Sequence, residues 1–358
     1  MKVLHLMTGG GLGGIQTMIS QYAEYSNNNH VFIFTYGDGY YCDLLEGLGK
    51  KVYRINDYKG LKMISQTAKI IKQEKPDIII EHFCAPILRL ILLYAKIKNR
   101  NLQIYIYQHH DADLDGIAAS GIKKKIIKKI DTIACKSVDG IIAISNFVKN
   151  SVIKNYNIKS EKIKVIYNGV DLSYFGKDQH KKNEIIYVGR LVEGKGVQLI
   201  LDALQYVERE FHFNIVGDGP YRKNLEKKVK KLGLQEKVTF CGPQQNISEW
   251  MQKAAIFIHM PIFEEGFGIT VVEAMAAGLI VITTNSGGIP EIIRNNENGY
   301  LIDKDDPIQI SKCLEKVLDN YNNDIHRTMR KKAIQDSNNY NIQKFTLDVD
   351  TYLNENQY

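Results

Sequence analysis

The chain has 358 residues, of which 44% are hydrophobic and 24% charged, with a formal net charge of +7. This composition is typical of a soluble globular protein of about two domains, and it excludes a collagen, a disulfide-stapled miniprotein and a disordered chain. The five cysteines lie far apart and form no CxxC pair, which argues against a zinc ribbon or a redox motif and fits a reducing cytoplasm.

The positive charge is concentrated in the first half of the chain. Residues 1–168 contain 24 Lys or Arg and 14 Asp or Glu, whereas residues 169–358 contain 23 and 26. An anionic partner of the first half, either a membrane surface or a nucleic acid, would explain this asymmetry. A general abundance of lysine explains it equally well, so charge alone leaves both explanations open.

Over the first half, short apolar runs rich in β-branched residues alternate with segments of helical periodicity. Amphipathic helices are predicted at Leu61–Glu74 and Ile122–Val138. Strands that follow one another in this way with helices between them form parallel sheets covered on both faces. The predicted strands are Val3–Met7, Val31–Tyr36, Lys51–Ile55, Asp77–Glu81, Gln103–Tyr107, Gly140–Ile144 and Lys164–Tyr167.

A second alternating series follows a polar stretch between Asn168 and Asn183, which has no apolar periodicity and is typical of a linker. Its strands are Glu184–Val188, Phe211–Val216, Lys237–Cys241, Ala255–His259, Leu279–Thr283 and Tyr300–Ile302. The sequence therefore predicts two doubly wound α/β domains, residues 1–170 and 171–340. A last helix within 341–358 is expected to cross back to the first domain.

In such folds ligands bind at the carboxyl ends of the strands, here in the crevice expected between the domains. The first strand is followed by the glycine-rich loop Gly9–Gly14, which opens a helix. Glycines let the backbone approach a ligand, and a helix N-terminus favours an anion. A nicotinamide dinucleotide is disfavoured, because Tyr36 and Gly37 stand where a ribose-binding acid is expected, although Asp38 is near.

The second domain carries the stronger phosphate-binding signals. Arg190 and Lys195 flank a tight turn after its first strand, and together they could neutralise a diphosphate. Gly266 and Gly268 precede a helix and expose amide N–H groups to an anion. Glu265 in that loop and Glu273 on the helix could accept hydrogen bonds from sugar hydroxyls, although acids at a helix start also stabilise its dipole.

These motifs, in their order and spacing, resemble the retaining GT-B glycosyltransferases, most closely the large family four (glycosyl transferases group 1), which includes capsule and exopolysaccharide enzymes. The resemblance covers nearly the whole chain and is more specific in the second domain. The motifs that carry it are GGGLGG, YNGVD, GRLVEGKG, VGDGP, FCG, EEGFGITVVEAMAAG and GGIPEII.

The resemblance implies a role for each matching position. Arg190 and Lys195 are expected to bind the donor diphosphate, Glu265 to face the donor sugar and Glu273 to hold the nucleotide ribose. Further donor-binding positions are expected at Asp218, Gly219, Gly242, Gly266, Phe267, Gly268 and Ile269, and, in the first domain, at Gly13 and Gly14.

A histidine facing the donor sugar is also expected after the fifth strand. His109 and His110 both stand there, and His110 is preferred because an aspartate follows it. With His110, Arg190, Lys195 and Glu265 as catalytic residues, the predicted reaction needs neither a metal nor a cofactor. The cations and the helix start would stabilise the leaving diphosphate, whose departing oxygen takes the acceptor proton.

The stretch Lys123–Lys129 combines lysines with isoleucines at helical spacing. Such a helix either packs its apolar face into the core or lies on an anionic leaflet. The second interpretation predicts a cytoplasmic enzyme at the inner face of the plasma membrane that acts on a glycan or lipid-linked acceptor. Nucleic acid is not expected, because no aromatic residues interleave the lysines. The alternatives to a transferase are a nucleotide-sugar epimerase of the same fold and a catalytically silent partner subunit.

Overall fold

The computed structural model describes residues 1–11, 13–55, 60–82, 86–112, 122–175, 182–303 and 306–355, with the backbone alone for residues 86–87 and 122–124. The chain forms two compact units. Unit 1 comprises Met1–Gly169 together with Ile342–Tyr358, and unit 2 comprises Val170–Asn341.

Unit 1 is built on a parallel sheet of seven strands in the order β3-β2-β1-β4-β5-β6-β7. Its strands are β1 (Lys2–Met7), β2 (Asn29–Phe34), β3 (Lys51–Arg54), β4 (Ile78–His82), β5 (Gln103–Gln108), β6 (Gly140–Ala143) and β7 (Ile163–Val165). Its helices are α1 (Gly14–Tyr25), α2 (Tyr40–Gly47), α3 (Gly60–Glu74), α4 (Pro86–Lys98), α5 (Ile122–Ser137), α6 (Asn146–Tyr156) and α13 (Ile342–Glu355).

Unit 2 contains a parallel sheet of six strands in the order β10-β9-β8-β11-β12-β13. Its strands are β8 (Glu184–Val188), β9 (His212–Val216), β10 (Val238–Gly242), β11 (Ile256–His259), β12 (Ile280–Thr284) and β13 (Tyr300–Ile302). Its helices are α7 (Val197–Leu204), α8 (Arg222–Lys231), α9 (Ile247–Lys253), α10 (Ile269–Ala276), α11 (Pro307–Asn320) and α12 (Asp324–Ser337).

The central strands are apolar on both faces because helices cover both sides of each sheet. The side chains of Ile78–Ile80 and of Ile256–Ile258 are at most 1% exposed. Near-continuous apolar strands of this kind are typical of buried parallel sheets. The predicted α/β architecture with two doubly wound sheets is confirmed. Among the helices in the described part of the chain, none has both the length and the apolarity needed to cross a bilayer.

The last helix, α13, is anchored to unit 1 by a polar cluster. The Asp350 carboxylate accepts hydrogen bonds from Tyr22 (2.6 Å), Ser26 (2.8 Å) and Asn28 (2.9 Å), on α1 and the turn that follows it. Hydrogen bonds to a charged acceptor are stronger than those between neutral groups. The sheet of unit 1 is thus covered by a helix from the far end of the chain.

Four buried histidines form a hydrogen-bonded chain across four neighbouring strands of unit 1. His5 on β1 lies 2.9 Å from His30 on β2 and 3.0 Å from His82 on β4, measured between ring nitrogens. His82 in turn lies 2.9 Å from His109, directly after β5. Each ring is at most 5% exposed. Burial lowers the pKa of His5 and His82, so these internal imidazoles are neutral, and each donates through one nitrogen and accepts through the other.

Candidate active site

The predicted catalytic residues Lys195 and Glu265 are brought together by the topology of unit 2. Strands β8 and β11 are neighbours in the sheet, although β9 and β10 lie between them in the sequence. The strand order reverses at this point, which is where ligands bind in open α/β sheets. Lys195 follows β8 and Glu265 follows β11, and the Lys195 ammonium lies 2.5 Å from Glu265 Oε2.

Two glycines allow the loops of this site to approach one another. Gly196 has φ +71°, and a Cβ there would lie 1.7 Å from the carbonyl oxygen of Met260. Gly287 has φ +60°, and its Cβ would lie 2.1 Å from the carbonyl oxygen of Glu265. Both the left-handed backbone and the lack of space require glycine. The backbone on either side of the ion pair is therefore fixed by close packing.

The Lys195–Glu265 pair is partly shielded from solvent, since the two side chains are 22% and 17% exposed. Burial alone would raise the pKa of Glu265, but the Lys195 ammonium brings that pKa below its ordinary value. The Lys195 ammonium also lies 5.1 Å from the ring centre of Phe263, a cation–π contact. The pair is thus a charged one, and its ammonium offers a partner to an anionic ligand.

The loop after Glu265 runs into α10. Phe267 is 1% exposed and packs edge-on against Tyr340, with the ring centres 5.5 Å apart. Gly268 is the residue that precedes α10, and Ile269 is the first residue of the helix. Burial raises the pKa of Glu273, further along α10, to about 7. This carboxyl group therefore changes charge near neutral pH.

The remaining predicted residues of unit 2 lie at the carboxyl ends of β8, β9 and β10. The Arg190 side chain is exposed. Asp218 accepts a hydrogen bond from the Gly219 N–H (2.7 Å), and the Gly217 N–H donates to the Gly242 carbonyl (2.8 Å). Within the described residues, Arg190, Asp218, Gly219 and Gly242 make no hydrogen bond to Lys195 or Glu265.

In unit 1 the structure separates the two adjacent histidines. His109 is buried in the histidine chain, whereas the His110 ring is exposed and its Nδ1–H donates to the Asp111 carbonyl (2.7 Å). Gly13 precedes α1 and Gly14 begins it. His110 thus follows β5, and Gly13 and Gly14 follow β1. That these residues contact the donor sugar nucleotide stays a prediction.

The sequence reasoning missed His259. It is the last residue of β11, 1% exposed, with Nε2 3.8 Å from Glu265 Oε2. A histidine closing an apolar strand gives no signal in the sequence beyond its place at a strand end. Within the described ranges, no three His, Cys, Asp or Glu side chains are grouped so as to hold a metal ion.

Two family models match consecutive parts of the chain. "Glycosyltransferase Family 4" matches residues 12–174, and "Glycosyl transferases group 1" matches residues 175–336, so that residues 12–336 are matched without a gap. The chain therefore belongs to the group 1 glycosyltransferases of family four, and its two parallel-sheet units are those of the GT-B fold.

Individual relatives are similar over most of their length. An uncharacterized glycosyltransferase of Methanocaldococcus jannaschii is 28% identical over 345 residues, covering 94% of this chain and 93% of that protein. The N-acetyl-alpha-D-glucosaminyl L-malate synthase of Bacillus anthracis is 26% identical over 76% of this chain and 73% of its own. The Anabaena protein HepE, solved in complex with UDP-glucose, superimposes with a TM-score of 0.86 at 20% identity, covering 99% of this chain and all of that one.

Proposed function

We propose that the chain is a retaining, metal-independent glycosyltransferase that moves a hexose or N-acetylhexosamine from a nucleotide-diphosphate sugar, with UDP as the nucleotide, to a glycan or lipid-linked acceptor. The observation that carries the proposal is the Lys195–Glu265 pair at the strand-order reversal of unit 2, with Glu265 in the loop that leads into α10. The complex of HepE with UDP-glucose supports the nucleotide, and the N-acetyl-alpha-D-glucosaminyl L-malate synthase supports the sugar class.

The proposed mechanism is electrostatic. As the bond between the sugar and the diphosphate breaks, negative charge grows on the leaving phosphate oxygen. The Lys195 ammonium, the exposed Arg190 guanidinium and the N–H groups at the start of α10 are the groups proposed to stabilise that charge. Glu265 orients the sugar, and the departing phosphate oxygen takes the proton of the attacking acceptor hydroxyl on the same face. No covalent nucleophile is needed.

Mutation of the pair tests the proposal. Lys195→Ala and Glu265→Ala should each lower kcat/KM for transfer by on the order of 100-fold or more, the cost of removing one charged transition-state contact. Lys228→Ala is the matched control, because Lys228 also forms an ion pair, with Asp202, and is similarly exposed but lies on α8. Wild-type turnover by either site variant would contradict the assignment.

The product and its conditions test the rest. NMR of the product should show the donor's anomeric configuration, and transfer should continue in EDTA. Isomerised free donor in place of transferred sugar would indicate the epimerase. Absence of any turnover, with nucleotide binding intact, would indicate the silent subunit. Thermal shifts with UDP, GDP and ADP sugars identify the base, because a ligand of the native state raises the melting temperature.

A surface of unit 1 supports a lipid-linked acceptor at an anionic membrane, as in surface polysaccharide synthesis. On α5, Lys125, Lys128 and Lys129 are exposed, and Ile126 and Ile133 beside them are 54% and 47% exposed. The Lys123 and Lys124 side chains lie outside the described residues. The predicted isoleucine face is thus not wholly in the core.

The neighbouring helix α4 extends this surface, since it packs against α5. Its exposed apolar side chains are those of Leu90 (44%), Tyr94 (57%) and Ile97 (75%). Apolar groups flanked by lysines are suited to the headgroup region of an anionic leaflet, where each lysine contributes ~1 kcal/mol. We infer an enzyme that works at the inner face of the plasma membrane.

Vesicle sedimentation tests this surface. Lysine-to-glutamine changes at 125, 128 and 129 should weaken binding to vesicles containing phosphatidylglycerol by on the order of 100-fold. The same changes at Lys227, Lys230 and Lys231, which are exposed on α8 of unit 2, remove equal charge and should have little effect. Equal loss of binding in both variants, or no vesicle binding by the wild-type chain, would contradict the membrane role and favour an acceptor that is not held in a membrane.

A further inference from the structure

His259 occupies a buried position beneath the Lys195–Glu265 pair. It ends β11, which lies between β8 and β12 in the sheet. Its ring centre is 6.1 Å from that of Tyr187 on β8 and 6.2 Å from that of Phe257 on its own strand. The ring is 1% exposed, so its polar atoms have no access to bulk water.

The hydrogen-bond partners available to His259 determine its tautomer. Nε2 lies 3.8 Å from Glu265 Oε2. Nδ1 is buried and, among the residues the structure describes, has no hydrogen-bond partner. A neutral imidazole carries one proton, and a buried N–H without an acceptor is costly. The proton therefore belongs on Nε2, which faces the Glu265 carboxylate.

Two potential donors lie near the same carboxylate oxygen, Glu265 Oε2. The Lys195 ammonium is 2.5 Å from it and forms the ion pair, whereas His259 Nε2 is 3.8 Å away. If the Lys195 ammonium turns to the diphosphate of a donor, Glu265 is left as a largely buried carboxylate without its counterion, which is strongly unfavourable. A movement of about 1 Å would bring His259 Nε2 within hydrogen-bonding distance of that oxygen.

We propose that His259 is a positioning residue, whose Nε2–H holds the Glu265 carboxylate in place when Lys195 binds the donor's diphosphate. The inference rests on the proposed function and deepens it. It assigns a ligand-dependent exchange of partners to a side chain that would not itself touch the substrate.

The charges around His259 agree with a neutral donor. Burial and, to a lesser extent, the Lys195 ammonium lower the pKa of His259 to about 4, against the opposing effect of Glu265. The third titratable group facing the ring is Tyr187, whose pKa burial raises, so it stays protonated. His259 is therefore neutral at pH 7 and donates without having to gain a proton. Withdrawal of Lys195 should raise the pKa of His259.

A double-mutant cycle tests the proposal. His259→Phe, which keeps a ring but has no N–H, should lower kcat/KM for transfer by about 10- to 100-fold, the range expected for one hydrogen bond to a charged group. The dissociation constant of UDP should rise by a comparable factor, because the hydrogen bond from His259 to Glu265 forms when the diphosphate draws Lys195 away. His259→Gln restores an N–H near the Nε2 position and should recover most of the activity. In a Glu265→Gln background, His259→Phe should have almost no further effect.

Three results would overturn the inference: wild-type transfer by His259→Phe, an unchanged UDP affinity of that variant, or an undiminished effect in the Glu265→Gln background. A second readout, on the wild-type chain, does not require turnover. The ¹⁵N spectrum of labelled histidines should show the Nε2–H tautomer of His259, with this proton moving downfield when UDP is added. An Nδ1–H tautomer or an unmoved proton would refute the exchange. Absence of transfer from every nucleotide sugar would instead refute the proposed function.

Discussion

Acidification should destabilise unit 1 far more than unit 2, because of the histidine chain. Burial lowers the pKa of His5 and His109 well below the ordinary value, and lowers those of His30 and His82 to about 3. The native unit therefore binds no protons at these rings above about pH 5, whereas the unfolded chain binds them below about pH 6.5. Since the unfolded state binds more protons, stability is present above pH 6.5 and is lost as the pH falls.

The size of the loss follows from the number of rings. Between pH 7 and 5.5, one histidine that is protonated only in the unfolded chain removes about 1.2 kcal/mol. The four rings of unit 1 together remove about 5 kcal/mol, which is comparable to the whole stability of many domains. Most carboxyl groups remain ionised over this interval and change the balance little.

Unit 2 contains opposing groups. Because the pKa of His259 is lowered to about 4, this ring should remove about 1.2 kcal/mol from the free energy of unfolding over the same interval. The pKa of Glu273 is raised to about 7, so its contribution is complete below the unfolded value and is lost as the pH rises through 7. Acidification from pH 7 to 5.5 therefore stabilises unit 2 by about 1.6 kcal/mol through Glu273. His326, whose pKa burial also lowers, adds a further loss that cannot exceed that of one fully neutral histidine, so the net change in unit 2 stays small beside that in unit 1.

Hydrogen exchange measured by mass spectrometry on the full chain can separate the two units, after correction for the intrinsic pH dependence of exchange. The free energy of opening should fall steeply in β1 and β4 and little in β8 and β11. His30→Gln removes the terminal imidazole of the histidine chain and should reduce the loss of stability of unit 1 on acidification by about 1.2 kcal/mol. Equal losses in the two units, or the same loss in this variant, would refute the reasoning.

Three further outcomes are expected. With Gly196→Ala, unit 2 should unfold at a lower denaturant concentration than with Gly233→Ala. Both glycines have a left-handed φ, but only at Gly196 would the new Cβ meet a carbonyl oxygen, that of Met260. Equal unfolding midpoints would contradict this. We propose that ribose hydroxyls donate to ionised Glu273, so UDP should bind about tenfold more tightly at pH 8 than at pH 6. Glu273→Gln, measured by calorimetry, should remove that part of the pH dependence. Asp350→Ala leaves three donors without their acceptor, so exchange in α13 should quicken while α10 is unchanged.

Much of the fold was predictable because the central strands are apolar runs that end at a loop. The predicted strands Glu184–Val188 and Tyr300–Ile302 coincide with β8 and β13. Local sequence is sufficient here, since burial on both faces leaves a signal within five residues. The seven- and six-stranded sheets then follow from the alternation with helices.

Relations between distant residues were not predictable in the same way. Lys195 and Glu265 were assigned separately, and their ion pair arises because β8 and β11 are neighbours in the sheet. His82 taken alone is most simply a packed histidine. Only the strand order places it between His5 and His109. Such contacts depend on topology, which a pattern of single residues does not encode.

The anchoring of α13 has a consequence for how the protein is made. Unit 2 is inserted within unit 1, because the chain leaves unit 1 after Gly169 and returns at Ile342. On the ribosome, all of unit 2 therefore emerges before unit 1 has received its final helix. Until residues 342–355 appear, the surface of α1 that receives Asp350 stays uncovered, so the half translated first is the half completed last.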